Sequence, residues 1–323
     1  MSILVTGGCG FIGSNFINDW LLKTNEKIIN IDKLTYASNI KISKLKNKKY
    51  FFYKVDIKNK KKILQILNVH EPRAIINFAA ESHVDNSIQS PKIFFDNNVS
   101  SLLIFLQTLM IHYKNNKFKF IQISTDEVFG SLNKNQKPSN ECSQYLPNNP
   151  YSASKAAGDH IVRSFNRTFG FPAITTNCSN NFGPFQNNEK LIPLILDQIK
   201  KNKKIPIYGS GTQIRDWLYV KDHCEAIKLI LEKGKIGDTY NIGGENEIEN
   251  IKLIKLIFKI YSKLNPSVKY YDLLKLISFV KDRKGHDTRY SIDSSKIKKE
   301  LKWKIKSNFF NNLKDTIIWY SNK

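Results

Sequence analysis

Two short segments carry residues whose types and spacing suit redox and acid–base chemistry. Tyr151 and Lys155 lie four residues apart at the start of a predicted helix, so they share one face of it, one turn apart. Asp126 and Glu127 are adjacent and follow an apolar run, 118–123, that is typical of a buried strand. Carboxylates at the carboxyl end of such a strand lie where open α/β sheets bind ligands.

The tyrosine and lysine suit removal of a proton from an alcohol while its carbon is oxidised. A phenol titrates near pH ~10, which is too high for a base at neutral pH, but a lysine ammonium or a nicotinamide cation nearby favours the phenolate. Thr125 could hydrogen-bond the same oxygen or the substrate hydroxyl. Thr125, Tyr151 and Lys155 are therefore predicted to be catalytic if the chain binds a nicotinamide cofactor. The alternative is an ordinary packed tyrosine, since this spacing often arises by chance.

A dinucleotide-binding pattern opens the chain. A short apolar strand leads into a turn with glycine at every third position of 7–13, and a helix is predicted over 11–23. The glycines would let the backbone approach a pyrophosphate, and the helix N-terminus attracts its charge. Asp32 ends the next strand, where it could accept the adenosine ribose hydroxyls and would repel a 2′-phosphate. The pattern therefore predicts NAD rather than NADP, although Lys33 lies beside the acid.

Alternating strands and helices predict an α/β fold with a doubly wound parallel sheet of the Rossmann type. Residues 1–177 are expected to form the NAD-binding domain, also using parts of 217–245, and 178–323 a smaller interleaved α/β domain. Strands are predicted at 3–5, 27–31, 50–55, 74–78, 118–124, 173–176, 205–208, 217–220 and 239–242. Further helices are predicted at 59–69, 93–113, 151–169, 190–200, 223–232, 250–263, 294–301 and 309–320. The stretch 177–184 is predicted to be a polar loop.

The composition narrows the choice of partners. The formal net charge of the 323 residues is +23, but lysine supplies 45 of the 51 basic residues and they are dispersed along the chain. Nucleic-acid surfaces usually use arginine, so nucleic acid is not expected as a partner. The four cysteines form no C-x-x-C pair, which predicts neither a metal site nor disulfides. No signal peptide or membrane span is recognised, which favours the cytoplasm.

The helices near 97–113 and 151–169 carry more apolar surface than one face of a sheet needs. This surplus predicts a homodimer that packs these helices into a bundle.

The chain resembles the extended short-chain dehydrogenase/reductase superfamily and, within it, the nucleotide-diphosphate-glucose 4,6-dehydratases, most closely the dTDP-glucose type. The matching motifs cover nearly the whole length: 7–13, 32–37, 79–85, 124–130, 151–155, 177–184, 189–193, 215–218 and 282–287. The most specific is Thr125-Asp126-Glu127, because related epimerases and decarboxylases lack the acid pair.

The resemblance implies a reaction in three steps with no net redox change. Tyr151 would deprotonate the 4-hydroxyl of the sugar as the C4 hydride passes to NAD. Glu127 would then remove the C5 proton while protonated Asp126 donates to the departing C6 hydroxyl, and the hydride returns to C6. Two neighbouring carboxyls in a dry cleft cannot both ionise cheaply, which fits one acid and one base, but only the resemblance says which is which. The alternative is a solvated turn.

The resemblance also implies the binding residues. The cofactor would contact Gly7, Gly10, Phe11, Ile12, Gly13, Asp32, Lys33, Leu34, Thr35, Asp56, Ile57, Ala79, Ala80, Ser82, Asn98, Tyr151, Lys155 and Asn181. The nucleotide sugar would contact Ser82, His83, Thr125, Asn180, Lys190, Leu191, Pro206, Tyr208, Arg215, Asn250, Arg283 and His286. The guanidinium forks of Arg215 and Arg283 suit a diphosphate, with surface salt bridges as the alternative. Asp56 could equally cap a helix, and His286 could equally be structural.

The sequence leaves several alternatives open. Asn187 and Lys284 depart from the family pattern beside the expected nucleotide pocket, so dTDP-glucose and UDP-glucose both remain candidate substrates. A nucleotide-sugar 4-epimerase of the same fold is the second possibility, although it would not need the acid pair. A basic, NAD-binding regulatory or RNA-associated protein is the third, because a fold alone does not define a function.

Overall fold

A computed structural model of the chain describes residues 1–112 and 118–322. Its strands are β1 (Ser2–Thr6), β2 (Lys27–Asp32), β3 (Tyr50–Lys54), β4 (Ala74–Asn77), β5 (Lys119–Thr125), β6 (Ala173–Cys178), β7 (Asn180–Phe182), β8 (Ile205–Tyr208), β9 (Ile214–Tyr219), β10 (Thr239–Ile242), β11 (Glu247–Glu249) and β12 (Ile277–Val280). Its helices are α1 (Phe11–Lys23), α2 (Ile40–Ser43), α3 (Lys60–His70), α4 (Val84–Gln89), α5 (Pro91–Phe95), α6 (Ser101–His112), α7 (Pro150–Phe169), α8 (Leu191–Lys200), α9 (Val220–Lys233), α10 (Asn250–Leu264), α11 (Tyr270–Leu274), α12 (Ser295–Leu301) and α13 (Phe309–Ser321).

Seven strands form one parallel sheet in the order β10-β6-β5-β4-β1-β2-β3, and every neighbouring pair in it is parallel. The chain runs outward from β1 to β3, then returns to β4 on the other side of β1. This reversal leaves a crevice at the carboxyl ends of β1 and β4, where doubly wound sheets bind ligands. The predicted Rossmann-type α/β fold is confirmed.

Apolar helix faces cover both sides of this sheet. On one side α1, α9 and α12 bury side chains such as Phe16, Trp20 and Ile227. On the other side α3, α6 and α7 bury Phe105 and Val162 among others. Parallel sheets need both faces covered, so the near-continuous apolar strands of the sequence are explained by this double layer. Because α9, α12 and β10 come from the second half of the chain, that half is built into the first sheet.

The second half also forms a smaller unit with its own core. Three strands pair in the order β11-β9-β7, β12 pairs with β8, and α8, α10 and α13 pack on them. The short strands β11 and β12 were not predicted. The loop predicted at 177–184 is partly wrong, because β6 extends to Cys178 and Asn180–Phe182 pairs with β9. The proposed boundary at residue 177 stays a prediction.

The helix predicted over 93–113 is interrupted. It consists of α5, a π-helical turn at Asp96–Ser100 and α6, which ends at His112; residue 113 lies outside the described residues. A π-turn inserts one extra residue and re-aims the side chains around it. Here it turns Asn98 inward, where its amide bonds the backbone of Glu81 and the hydroxyl of Ser154.

The same stretch, Pro91–His112, is long and apolar enough to cross a membrane by length and composition alone. Phe94, Leu102 and Phe105 are nonetheless buried within the fold. Core helices of globular proteins pass the same test, so this stretch is weak evidence for a membrane span.

Candidate active site

A cleft opens at the carboxyl ends of β1, β4 and β5 and encloses about 1590 Å³ including its open side. It brings together most of the predicted site residues. Those that line it are Gly7, Gly10, Phe11, Ile12, Gly13, Asp32, Lys33, Thr35, Asp56, Ile57, Ala79, Ala80, Ser82, Thr125, Asp126, Glu127, Tyr151, Lys155, Asn180, Asn181 and Lys190.

The glycine turn forms the floor of this cleft. Gly7 adopts φ +65°, and a Cβ atom there would lie 2.6 Å from the backbone nitrogen of Ala79. A Cβ at Gly13 would lie 2.7 Å from the carbonyl oxygen of Gly7. Among residues 1–112 and 118–322, no side chain caps the N-terminus of α1, so its first backbone N–H groups remain available to a ligand. A turn pressed against the sheet and an uncapped helix start fit the pyrophosphate of a dinucleotide.

Asp32 lies at the end of β2 with its carboxylate held in place. Its two oxygens accept hydrogen bonds from the backbone N–H groups of Cys9, at 2.9 Å, and Leu34, at 2.8 Å. Burial raises the pKa of Asp32, and these hydrogen bonds oppose that rise. A carboxylate oriented this way beside the glycine turn fits the ribose hydroxyls of a dinucleotide. Leu34 itself adopts φ +61° and does not line the cleft.

The two adjacent acids differ in their surroundings. Asp126 is 2% exposed, and burial, then the charges of Glu127 and Asp216, raise its pKa well above the usual range. Burial also raises the pKa of Glu127, but there the cations of Lys190 and Arg215 oppose it. Within the described part of the chain, the Oδ2 atom of Asp126 has no hydrogen-bond partner. Asp126 is therefore the more easily protonated of the two, and Glu127 the more easily ionised.

Tyr151 and Lys155 lie on the first two turns of α7, and both side chains are buried. Asn149 starts this helix with a capping box, in which its side chain accepts a hydrogen bond from the backbone N–H of Ser152. The ammonium of Lys155 donates to the carbonyl oxygen of Ile123 at 2.7 Å. This contact fixes the lysine beside the end of β5.

The surroundings of Tyr151 raise the pKa of its phenol. Burial raises its pKa well above the usual value, and the charge of Glu127 raises it further. The side chain of Thr125 opposes this rise in the pKa of Tyr151. The protein groups around Tyr151 therefore favour its protonated form.

The predicted arginines do not line the cleft and are engaged with protein groups. Arg283 forms a two-point ion pair with Asp85, at 2.6 and 2.8 Å, and stacks on the ring of Tyr208. Arg215 donates to the carbonyl oxygen of Asp287 and stacks on Tyr290. The sequence could not reveal these contacts, because the partners lie up to 198 positions away.

The other predicted residues outside the cleft occupy structural positions. His83 accepts a hydrogen bond from the backbone N–H of Asn86, at the start of α4. His286 pairs with Asp282 at 2.6 Å, and Tyr208 donates to Asp85 at 3.2 Å. Also outside are Asn98, which braces Glu81, and Leu191, Pro206 and Asn250, which lie at the start of α8, on β8 and at the start of α10.

Sequence reasoning missed a buried partner of the site. His223 on α9 is fully buried, and its Nδ1 atom lies 2.9 Å from the Oδ1 atom of Asn181, which lines the cleft. Burial lowers the pKa of His223 to about 3, so the ring is neutral and Nδ1–H donates to the amide. No motif in the sequence links the two residues, since only the pairing of β7 and β9 brings them together.

The doubly wound sheet, the glycine-turn cleft and the tyrosine–lysine helix together define a dinucleotide-binding protein of the short-chain dehydrogenase/reductase class. The sequence model of the GDP-mannose 4,6 dehydratase family matches residues 4–316. The chain belongs to this family, and the resemblance to nucleotide-sugar 4,6-dehydratases predicted from the motifs is confirmed.

Individual relatives support the same assignment. The chain is 45% identical to a dTDP-glucose 4,6-dehydratase of Haemophilus influenzae over 99% of its length and 98% of the relative. It is 44% identical to one of Xanthomonas campestris pv. campestris, over 98% of its length and 92% of the relative. Among solved structures, the dTDP-glucose 4,6-dehydratase DesIV of Streptomyces venezuelae, crystallised with NAD, superposes with a TM-score of 0.92 at 36% identity, covering 100% of this chain and 97% of DesIV.

Proposed function

We propose that the protein is an NAD-dependent dehydratase that converts dTDP-glucose to the 4-keto-6-deoxyglucose nucleotide. The proposal rests on one observation: Asp126, Glu127 and Tyr151 line the same cleft, beside the glycine turn. Two relatives that are 44–45% identical to the chain are dTDP-glucose 4,6-dehydratases, which supports dTDP-glucose as the substrate. The similar structure of DesIV was solved with NAD, which supports NAD as the cofactor.

The chain's own residues fit NAD in this cleft. The turn from Gly7 to Gly13 would hold the pyrophosphate, and Asp32 would hold the adenosine ribose. Bound there, NAD supplies a hydride acceptor and donor, and its oxidised ring supplies a positive charge. Because the protein groups raise the pKa of Tyr151, that charge would be needed to favour the phenolate, which is the form that acts as the base.

The first step requires a base at the 4-hydroxyl of the sugar. The phenolate of Tyr151 would accept the hydroxyl proton, and Thr125, which lines the same cleft, would orient the same oxygens. Lys155 would hold a positive charge near the phenolate while its ammonium stays bonded to the carbonyl of Ile123. These three residues are proposed to position and deprotonate the alcohol.

The elimination requires one base and one acid. Glu127, stabilised as an anion by Lys190 and Arg215, would remove the C5 proton made acidic by the 4-ketone. Asp126, held protonated by burial and by two neighbouring carboxylates, would donate its proton to the departing C6 hydroxyl. The surroundings of the two acids thus support the same division of roles that the family resemblance implied.

We propose that the nucleotide portion of the substrate binds near Arg283, Tyr208 and His286. Arg283 is already oriented by Asp85 and stacked on Tyr208, so a diphosphate could take one side of its guanidinium fork. Lys190 donates to the carbonyl oxygen of Ser82 at 2.8 Å and adds a second cation between the acids and this region. The remaining predicted contacts, cofactor and substrate alike, stay proposals.

Turnover with dTDP-glucose and UDP-glucose in separate incubations tests the proposal. The 4-keto product is followed by its absorbance in alkali, and we expect turnover of dTDP-glucose. Because thymine and uracil differ by one methyl, UDP-glucose should react with a kcat/KM lower by up to about 200-fold. An absence of product from dTDP-glucose would contradict the proposal. Interconversion of the C4 epimers with no loss of water would favour the 4-epimerase instead.

We further propose that the protein is a cytoplasmic homodimer that packs α6 and α7 against their copies. Leu103 and Ile104 on α6 and Phe169 on α7 are apolar and at least 36% exposed. Light scattering at micromolar concentration should give twice the chain mass of 37.4 kDa. A mass of one chain, or a dimer that survives Leu103→Asp combined with Ile104→Asp, would contradict this interface.

A further inference from the structure

A buried carboxylate that the proposed reaction does not use lies behind the catalytic lysine. Asp159 follows Lys155 by one turn on the same side of α7 and is 4% exposed. Its Oδ2 atom accepts hydrogen bonds from the hydroxyl of Ser124, at 2.6 Å, and from that of Tyr145, at 3.4 Å. Its Oδ1 atom is buried and has no hydrogen-bond partner among the described residues.

Among the described residues, Asp159 has the largest opposing effect on the cost of burying the Lys155 ammonium. Burial lowers the pKa of Lys155, and the charges of Asp159 and then of Cys178 oppose that effect. Cys178 faces the lysine from β6, but burial raises the pKa of its thiol far above neutrality. The thiol is therefore uncharged, and the carboxylate of Asp159 is what offsets the cost of a buried ammonium.

We propose that Asp159 is a positioning residue whose buried carboxylate, one turn along α7, keeps Lys155 charged behind Tyr151. The inference rests on the proposed function, because it gives the lysine the charge that the oxidation step uses. A neutral asparagine could accept the same hydrogen bonds from Ser124 and Tyr145. An ionised carboxylate that is buried destabilises the fold unless a nearby cation compensates for its lost hydration. The charge of Asp159, rather than its hydrogen bonds, is therefore the property that we assign to its role.

The ionisation of Asp159 itself fits this role. Burial raises its pKa from 3.8 to about 6, while Lys155, Ser124 and Tyr145 oppose the rise. At neutral pH the carboxylate is therefore mostly ionised and available to the lysine. The titratable groups that face it are Lys155 from the same helix and Tyr145 from the segment before it.

The direct test titrates Lys155 by NMR in protein whose lysines carry ¹³C at Cε. The Lys155 signal is identified by its loss in Lys155→Met. In Asp159→Asn we expect the midpoint for Lys155 to fall by about one pH unit or more, since the loss of a nearby opposite charge in a buried site shifts a pKa by roughly 1–3. Asp159→Ser is a second neutral variant, and Asp159→Glu should restore the parent midpoint.

Tyr145→Phe is the matched control, because it disturbs the same hydrogen bonds but keeps the carboxylate. It should leave the Lys155 midpoint within about 0.3 pH unit of the parent, well inside a charge effect. A midpoint that is unchanged in both folded neutral variants, or that falls equally in Tyr145→Phe, would overturn the proposal.

A kinetic measurement separates this inference from the proposed function. On dTDP-glucose, the alkaline limb of the kcat profile should move to lower pH in Asp159→Asn and return in Asp159→Glu. A variant that is only structurally weakened would lose rate without moving the limb. If the parent protein fails to turn over dTDP-glucose, the proposed function is wrong, and the NMR titration still decides the role of Asp159.

Discussion

Replacing Asp126 by asparagine should separate the two halves of the proposed reaction. Asp126 is 2% exposed, and burial with the charges of Glu127 and Asp216 favours its protonated form. An amide of the same shape cannot give up a proton, so the elimination should slow by about 10²- to 10⁴-fold, the usual loss for a general acid. That factor corresponds to roughly 3–5 kcal/mol in the barrier.

The oxidation should survive the same substitution, because Tyr151 and Lys155 are untouched. Mixing Asp126→Asn with dTDP-glucose in a stopped-flow instrument should therefore show reduced nicotinamide accumulating on the enzyme, while quenched samples show little 4-keto-6-deoxy product. A neutral acid is exchanged for a neutral amide, so the free energy of unfolding should change by no more than about 1 kcal/mol.

Tyr151→Phe is the control, since it should abolish the reduced-nicotinamide signal itself. Elimination at the parent rate in Asp126→Asn would refute the assignment of the acid. Loss of the oxidation in that variant would also contradict the proposed roles, because Asp126 is proposed to act only in the elimination.

Further outcomes follow from individual contacts. Gly7→Ala should lose most bound NAD and about 1–3 kcal/mol of stability, since φ is +65° and the Cβ would lie 2.6 Å from Ala79; cofactor content and thermal melting measure both. Arg283→Lys should raise KM for dTDP-glucose by about 10- to 100-fold with little change in kcat, because a forked contact is lost. The pKa of Asp159 is about 6 in the folded protein, against an ordinary value of 3.8. Folding therefore favours the protonated carboxyl, and the free energy of unfolding decreases as the pH rises from 4 to 6. Urea midpoints in Asp159→Asn should lack this loss, worth roughly 3 kcal/mol at most.

The fold of the first half could be predicted from local patterns. The helix predicted over 11–23 is present as Phe11–Lys23, because its apolar spacing and the preceding glycine turn both act over a few residues. The interruption at Asp96–Ser100 could not be predicted, since the π-turn is tied to contacts between Asn98 and the distant Ser154. The short strands β11 and β12 carry too few residues for an alternating pattern.

In the candidate site, too, features set by neighbouring residues could be predicted, whereas contacts between distant residues could not. The acid pair and the tyrosine–lysine pair were predictable as neighbours in sequence, and the cleft brings them together. The different surroundings of Asp126 and Glu127 were not predictable, because Asp216 and Arg215 reach them from β9 through the fold of the second half. The hydrogen bond from Lys155 to the carbonyl oxygen of Ile123 could not be predicted from the sequence either, since it depends on how α7 packs against β5.

The central claim is that the cleft oxidises C4, removes water across C5 and C6 and reduces C6. Incubation of the protein with dTDP-glucose carrying deuterium at C4, followed by mass spectrometry and proton NMR of the product, tests this most directly. We expect a product that has lost one water and carries the deuterium at C6. A product of unchanged mass with the deuterium still at C4 would contradict it.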